Sequence, residues 1–208
     1  MDPTSSPGRA APTSTPGSLD FLRGFLRNPA QVGSVIPSSP QLERRLVQCA
    51  QLQRARTVVE LGPGTGGTTR ALLAAMSPGA VLLGIELDGD FHQGLQRSIT
   101  DPRLILELGS AEKLGDLLEE HGLPAPDAIV SGIPFSTMPP PVSRRIAECV
   151  ARVLRPGGRF VAYQVRAHVA DFMTPHLGAP VKQWEMRNVP PVRVFTWVKG
   201  GQPPRNGA

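Results

Sequence analysis

The stretch VVELGPGTGG, residues 58–67, decides the fold of this chain. Apolar and β-branched residues lead into a cluster of glycines, and Glu60 lies just before the first glycine. Residues 67–76, GTTRALLAAM, follow with helical spacing. A short apolar run, a glycine loop and a helical segment together predict a strand, a turn and a helix.

The same alternation continues through the rest of the chain. Further strands are predicted at residues 80–87, 103–108, 127–134 and 159–165, and further helices at 88–99, 111–122 and 140–154. Residues 182–198 are split by Pro190 and Pro191, which suits a closing antiparallel hairpin. Strands that alternate with helices predict an α/β fold, Rossmann-like, with a seven-stranded, mainly parallel sheet and helices on both faces.

The composition limits the classes of protein to which this chain can belong. The 208 residues carry a net charge of +5, which favours anionic partners. No apolar run approaches the ~20 residues of a membrane span, and the amino terminus has no secretory apolar region. Cys49 and Cys149 fall in predicted helices, so we expect free thiols in a cytoplasmic protein and no metal site.

The chain divides at shifts in composition. Residues 1–17 are rich in Pro, Ser, Thr and Gly, and residues 200–208 are similar, so both are expected to be loose tails. Residues 18–39 are predicted to form an amphipathic helix and a segment that covers the ligand site of the main domain, residues 40–199.

The glycine loop is predicted to bind a cationic ligand. Ligands of open α/β sheets bind at the carboxyl ends of the strands. A carboxylate at Glu60 would repel a pyrophosphate but suits the zwitterionic end of S-adenosylmethionine. Glu86, at the end of the second predicted strand, can accept hydrogen bonds from ribose hydroxyls; nicotinamide cofactors use an acid there too, so Glu86 alone discriminates little.

These motifs resemble those of class I S-adenosylmethionine-dependent methyltransferases over residues 57–165. The flanking stretches 21–39 and 187–198, with SGIPF at 131–135, resemble the bacterial phospholipid N-methyltransferase family. That family methylates the amine of phosphatidylethanolamine, and relatives act on other aminolipids. Ser110 stands where the family usually has an aspartate, and Val165 where a tyrosine is common.

The resemblance implies a cofactor site, a membrane partner and a product, S-adenosylhomocysteine. The expected cofactor-binding residues are Ser34, Glu60, Gly62, Pro63, Gly64, Gly66, Glu86, Leu87, Ser110, Ala111, Glu112 and Ser131. We expect a monomer that is peripheral on the inner face of the membrane, binds an aminophospholipid and does not bind nucleic acid.

The segment 19–27 supports a membrane role on its own residues. A helix there has one broad apolar face and two arginines on its polar side, which suits an anionic interface. The residues predicted to contact the membrane are Phe21, Leu22, Arg23, Phe25, Leu26 and Arg27. The alternative is a helix packed on its own domain.

The acceptor side is predicted from the loop after the fourth strand. Carbonyl groups of Ser131 and Gly132 could orient an amine, and the rings of Phe135 and Tyr163 could face a cationic product. No strong general base stands out near this loop.

Three other functions stay open. One is a small-molecule N-methyltransferase, and another is a membrane-bound module without catalysis. A third is an enzyme like the rRNA adenine N6-dimethyltransferases, whose asparagine-x-proline-aromatic loop resembles SGIPF, with Ser131 expected in place of the asparagine.

Overall fold

The computed structural model describes residues 38–201. Its helices are α1 Pro40–Ala50, α2 Gly67–Ala75, α3 Gly89–Ser98, α4 Leu114–Glu120, α5 Pro140–Val153 and α6 His168–Leu177. Its strands are β1 Thr57–Leu61, β2 Val81–Glu86, β3 Leu104–Leu108, β4 Ala128–Ser131, β5 Arg159–Gln164, β6 Val181–Glu185 and β7 Val192–Val198. Short 3₁₀ turns lie at Leu52–Arg54 and Ala111–Lys113.

The strands form one seven-stranded sheet in the order β3-β2-β1-β4-β5-β7-β6. The first five in this order are parallel, and β7 and β6 are antiparallel additions. The predicted fold is therefore confirmed, including the closing hairpin. The carboxyl ends of the five parallel strands lie on one side of the sheet, which we call the carboxyl edge. The last residues of these strands are Leu61, Glu86, Leu108, Ser131 and Gln164.

The hairpin returns the chain to this carboxyl edge. In the register of β5 with β7, Gln164 lies opposite Arg193, and in that of β6 with β7, Glu185 lies opposite Val192. The β6–β7 turn, residues 186–191, thus lies beside the end of β5. The β6–β7 hairpin therefore lies next to the loop after β4, which is predicted to hold the methyl acceptor.

A two-faced core fixes β1 at the centre of the sheet. All five residues of β1 are buried. Val59 and Leu61 belong to the apolar cluster on one face, and Val58 belongs to the cluster on the other. Burial on both faces explains why β1 is a continuous apolar run interrupted only by Glu60.

Helix α6 was not predicted. Pro175 lies inside it, and a proline argues against a helix in sequence. Val169 and Met173, one turn apart, are both fully buried, and this packing outweighs the proline. The predicted helix 111–122 begins as a 3₁₀ turn and becomes α-helical at Leu114.

The predicted tails and the amphipathic helix lie outside the described residues, apart from residues 38–39 and 200–201. Within residues 38–201, no helix is long and apolar enough to cross a membrane.

Asp127 joins the start of β1 to the start of β4. Its carboxylate accepts hydrogen bonds from the backbone N–H groups of Arg56 and Thr57 at 2.7 and 3.0 Å, and it pairs with Arg155. Partial burial alone would raise the pKa of Asp127, but these donors hold it below the ordinary value of 3.8. The stabilisation is therefore present at neutral pH and lost as the pH falls through this lowered pKa.

We expect Asp127→Asn to lower the free energy of unfolding at pH 7 by about 1–2 kcal/mol, because one acceptor and an ion pair are lost. Urea denaturation measures this change. Asp116→Asn, the same change on an exposed residue, is the control and should stay within about 0.5 kcal/mol of wild type. Equal losses in the two variants would contradict the role of Asp127.

Candidate cofactor and acceptor site

The glycine loop after β1 has the backbone conformation that its sequence predicts. Gly62, Gly64 and Gly66 have φ values of 73°, 57° and 83°, in the left-handed region that favours glycine. A Cβ on Gly66 would lie 2.5 Å from the Leu95 side chain, so Gly66 is required by packing. A Cβ on Gly64 would meet nothing within 4 Å, which leaves open space over the loop.

Glu86 holds this loop to the end of β2. One carboxylate oxygen accepts a hydrogen bond from the Gly64 N–H at 2.8 Å, and the other accepts from the Asp88 N–H at 2.9 Å. Burial raises the pKa of Glu86, and the backbone donors partly offset this effect. Each oxygen keeps a lone pair, so Glu86 could accept ribose hydroxyls while it positions the loop.

Glu60 is a buried carboxyl group without a full set of partners. Its side chain is 1% exposed, and Oε2 has no hydrogen-bond partner within residues 38–201. Burial raises the pKa of Glu60 to about 8, and the nearby carboxylate of Glu86 adds to this effect. The Thr69 hydroxyl is itself buried without a partner in this part of the chain.

These two orphaned groups, together with the open space at Gly64, fit a zwitterionic ligand. An ammonium group would pair with Glu60 and supply the missing donors. Buried polar groups are rarely left unsatisfied unless a ligand or water completes them. The site therefore fits the amino-acid end of S-adenosylmethionine.

The other expected cofactor residues lie around the same edge. Pro63 and Leu87 are buried beside the loop and after β2. The Ser110 hydroxyl caps the turn at Ala111–Lys113 by accepting from the Glu112 N–H at 3.3 Å, and it donates to the Glu112 carboxylate at 3.1 Å. Glu112 also pairs with Arg145 of α5, so its side chain is already engaged.

The loop after β4 approaches the glycine loop closely. The N–H of Gly132 donates to the carbonyl of Leu61 at 2.9 Å, and a Cβ on Gly132 would lie 3.1 Å from the carbonyl oxygen of Gly62. Ser131 is fully buried, and its hydroxyl accepts from the Ile133 N–H at 3.4 Å. Gln164 donates to the carbonyl of Ile133 at 2.7 Å and holds the loop from the β5 side.

The two predicted aromatic residues have different surroundings. Tyr163 is half-buried, and its hydroxyl would lie 2.6 Å from a Cβ on Gly132. Burial raises the pKa of Tyr163. Phe135 is 2% exposed and packs in the core against Phe172, with ring centroids 6.1 Å apart. The structure gives Phe135 a packing role, whereas the Tyr163 hydroxyl lies beside Gly132 of the acceptor loop.

Ser34 and the six predicted membrane-contact residues lie outside the described residues: Phe21, Leu22, Arg23, Phe25, Leu26 and Arg27. Ser38 is the first described residue, and its hydroxyl lies 3.1 Å from that of Thr68.

Sequence reasoning missed Thr68, Thr69 and Gln164. The two threonines directly follow the glycine loop at the start of α2, and that position is the signal that could have identified them. Gln164 gives no such signal, because its role depends on the contact between β5 and the loop after β4.

Comparisons with known proteins identify the chain as a methyltransferase. A family model described as a methyltransferase domain matches residues 58–158. Ornithine lipid N-methyltransferase of Singulisphaera acidiphila is 33% identical over 141 residues, which cover 67% of this chain and 73% of that protein. Ribosomal RNA small subunit methyltransferase A of Nocardia farcinica is 30% identical over 159 residues, or 75% of this chain. The alignment takes in only 51% of that relative, about half its length.

Solved structures show the same fold. An O-methyltransferase from Bacillus cereus in complex with S-adenosylhomocysteine superposes with a TM-score of 0.62 at 15% identity, covering 90% of this chain and 93% of the other. A doubly wound sheet with a glycine loop after its central first strand is typical of enzymes that bind nucleotide cofactors, and the family model and the curated relatives narrow this class to methyltransferases. The chain belongs to the class I S-adenosylmethionine-dependent methyltransferases, and S-adenosylmethionine is its cofactor.

The raised pKa of Glu60 predicts that cofactor binding releases a proton. Since the pKa of Glu60 is about 8 in the cofactor-free protein, the group is largely protonated at pH 7. An ammonium group beside it favours the ionised form, so binding should release up to about one proton, and affinity should rise as the pH approaches 8. Calorimetry with S-adenosylhomocysteine in buffers of different ionisation enthalpy measures this release.

Glu60→Gln should abolish the proton release and weaken binding about tenfold or more, because a charge-assisted interaction is lost. Folding of the wild-type protein takes up a proton between pH 4.5 and about 8, so its stability falls as the pH rises through this window. The variant should not show this fall. Exposed Glu119→Gln is the control; proton release that persists in Glu60→Gln would place the titrating group elsewhere.

Proposed function

We propose that the enzyme transfers a methyl group from S-adenosylmethionine to the head-group amine of a membrane aminolipid, phosphatidylethanolamine or its methylated derivatives. The bound cofactor supplies a methyl group on a sulfonium sulfur. The residues described above would bind its amino-acid end at Glu60 and orient its ribose at Glu86.

The observation that carries the proposal is the chemistry of the acceptor loop. The side chains of Tyr163 and Gln164 contact Gly132 and Ile133, and neither is a base near neutral pH. A hydroxyl acceptor would need a base to remove its proton before attack. An amine becomes a nucleophile by losing a proton to water, so this loop suits N-methylation.

Burial would assist the amine. A free primary amine has a pKa of about 10, and removal from water lowers it. The carbonyl groups of the loop could accept the remaining N–H bonds and orient the lone pair. The ring of Tyr163 could contact the cationic product.

The lipid assignment draws on similarity to ornithine lipid N-methyltransferase, with 73% of that protein covered. The relatives named as ribosomal RNA methyltransferases make RNA the second candidate. Counted back from Pro134, the place of the asparagine in the asparagine-x-proline-aromatic loop is Gly132 and not Ser131. A Cβ there would lie 2.6 Å from the Tyr163 hydroxyl and 3.1 Å from the Gly62 carbonyl oxygen, so an asparagine would have to displace Tyr163. The packing therefore supports an acceptor other than adenine.

The decisive experiment offers several acceptors to the full chain with radiolabelled S-adenosylmethionine. We expect label in vesicles that contain phosphatidylethanolamine, its monomethyl derivative or ornithine lipid, with a rate that rises from pH 7 to 9 as the amine loses its proton. Free ethanolamine and an adenine-containing small-subunit RNA should accept little. Glu86→Ala should be inactive and serves as the background. Label in RNA alone would refute the lipid proposal.

The close contact at Gly132 can be tested by a double variant. Gly132→Ala should lower the rate of methyl transfer about tenfold or more, because the added methyl group collides with the Tyr163 hydroxyl and displaces the loop. Tyr163→Phe removes that hydroxyl, so activity should partly return in the double variant.

Gly79→Ala is the matched control, since a Cβ there meets nothing within 4 Å. Single-turnover rates and the affinity for S-adenosylhomocysteine separate the effect on the acceptor from the effect on the cofactor. Strictly additive losses in the double variant would show that the two residues act independently.

A further inference from the structure

The described part of the chain exposes its large apolar side chains in an uneven pattern. They are Leu108, Val165, Trp184, Met186 and Val189. Trp184, Met186 and Val189 are 51%, 65% and 86% exposed, and all three belong to β6 or to the turn that follows it. Isolated apolar residues on a surface need no explanation, but a cluster indicates an interaction site.

The sheet register places this cluster at the carboxyl edge. Trp184 lies opposite Arg193, which lies opposite Gln164, the last residue of β5. Met186 and Val189 continue from there beyond the end of the sheet. The exposed cluster therefore lies on the same edge as the glycine loop and the acceptor loop.

The charges around the cluster are positive. Arg187 and Arg166 are exposed, and the Arg193 guanidinium lies over the Trp184 ring, 4.4 Å from its centroid. The acidic residue of this hairpin, Glu185, is buried and pairs with Arg45 of α1 at 2.8 Å. The outward surface thus combines apolar side chains with arginines.

The turn is built to hold these residues outward. The Asn188 side chain is fully buried, accepts from the Ser39 N–H at 2.8 Å and donates to the Pro190 carbonyl at 3.1 Å. The Arg187 N–H donates to Glu185 at 3.1 Å. These bonds fix the backbone between Met186 and Val189, so both side chains project from an ordered turn.

We infer that the surface formed by Trp184, Met186, Arg187, Val189 and Arg193, here called the hairpin surface, docks on an anionic lipid bilayer. An indole ring with an apolar body and a polar N–H suits the interfacial region of a membrane. Arginines beside apolar side chains favour anionic head groups over a neutral surface. The positive charge argues against a second copy of the same surface, which would bring arginines together.

Docking on this surface turns the carboxyl edge toward the bilayer. A lipid amine could then reach the acceptor loop without the whole lipid leaving the membrane. This consequence for substrate access rests on the proposed lipid methylation, whereas the docking itself does not.

Vesicle co-sedimentation of the full-length protein tests the docking. We expect wild type to bind phosphatidylglycerol-containing vesicles better than pure phosphatidylcholine vesicles, and less well at high salt. Arg187→Glu should lower the partition coefficient about tenfold or more. Arg54→Glu, the same charge change on an exposed residue before β1 at the opposite edge, should lower it less than threefold.

The apolar part is tested by Met186→Ser/Val189→Ser, which should also lower partition about tenfold. Both side chains are exposed, so the variant should keep the wild-type melting temperature. Unchanged partition in this variant and in Arg187→Glu would overturn the inference. A variant that binds vesicles normally but shifts a monomer–dimer equilibrium in sedimentation would also overturn it, because the surface would then be a contact between copies.

An assay of methyl transfer distinguishes a failure of the docking inference from a failure of the proposed function. Arg187→Glu should lose activity on phosphatidylethanolamine in vesicles but keep activity on a short-chain, monomerically dissolved phosphatidylethanolamine. Equal losses on both forms would overturn the link between docking and access. If wild type methylates no lipid in either form, the proposed function fails, and co-sedimentation still decides the docking.

Discussion

The site depends on the burial of Glu60 in the central strand. The carboxyl group of Glu60 is almost fully buried in the central strand, so its ionised form is costly without a partner. The free protein accommodates the group by holding a proton, which its pKa of about 8 allows. A cationic ligand can replace that proton. A buried group that is costly in the free protein is therefore well suited to pair with the ammonium group of the cofactor.

Glu86 has a structural role before any ligand binds. Its two oxygens already connect Gly64 of the loop to Asp88 at the start of α3. The loop is thus organised before any ligand arrives, which reduces the ordering cost of binding. Removal of Glu86 would therefore loosen the glycine loop even in the free protein.

Much of the fold could be predicted from local sequence, and less of the site could be. The run at 57–61 and the glycines after it specify a strand and a turn through their own conformational preferences. Contacts between distant segments leave no local signal, and Gly132 beside Tyr163 is such a contact. Phe135 was predicted to face the product because it follows the loop, but its packing against Phe172 depends on α6, which the sequence did not reveal.

The hydrogen bond from Ser39 to Asn188 joins residues 149 positions apart. Contacts of such long sequence separation carry a high loop-closure entropy and form late in folding. During synthesis, the segment 57–131 that carries the glycine loop, Glu60 and Glu86 leaves the ribosome well before β6 and β7. The contact between Ser39 and Asn188 can therefore form only when nearly all of the described chain has been made. The hairpin beside the acceptor loop completes a sheet whose parallel strands have all been synthesised before it.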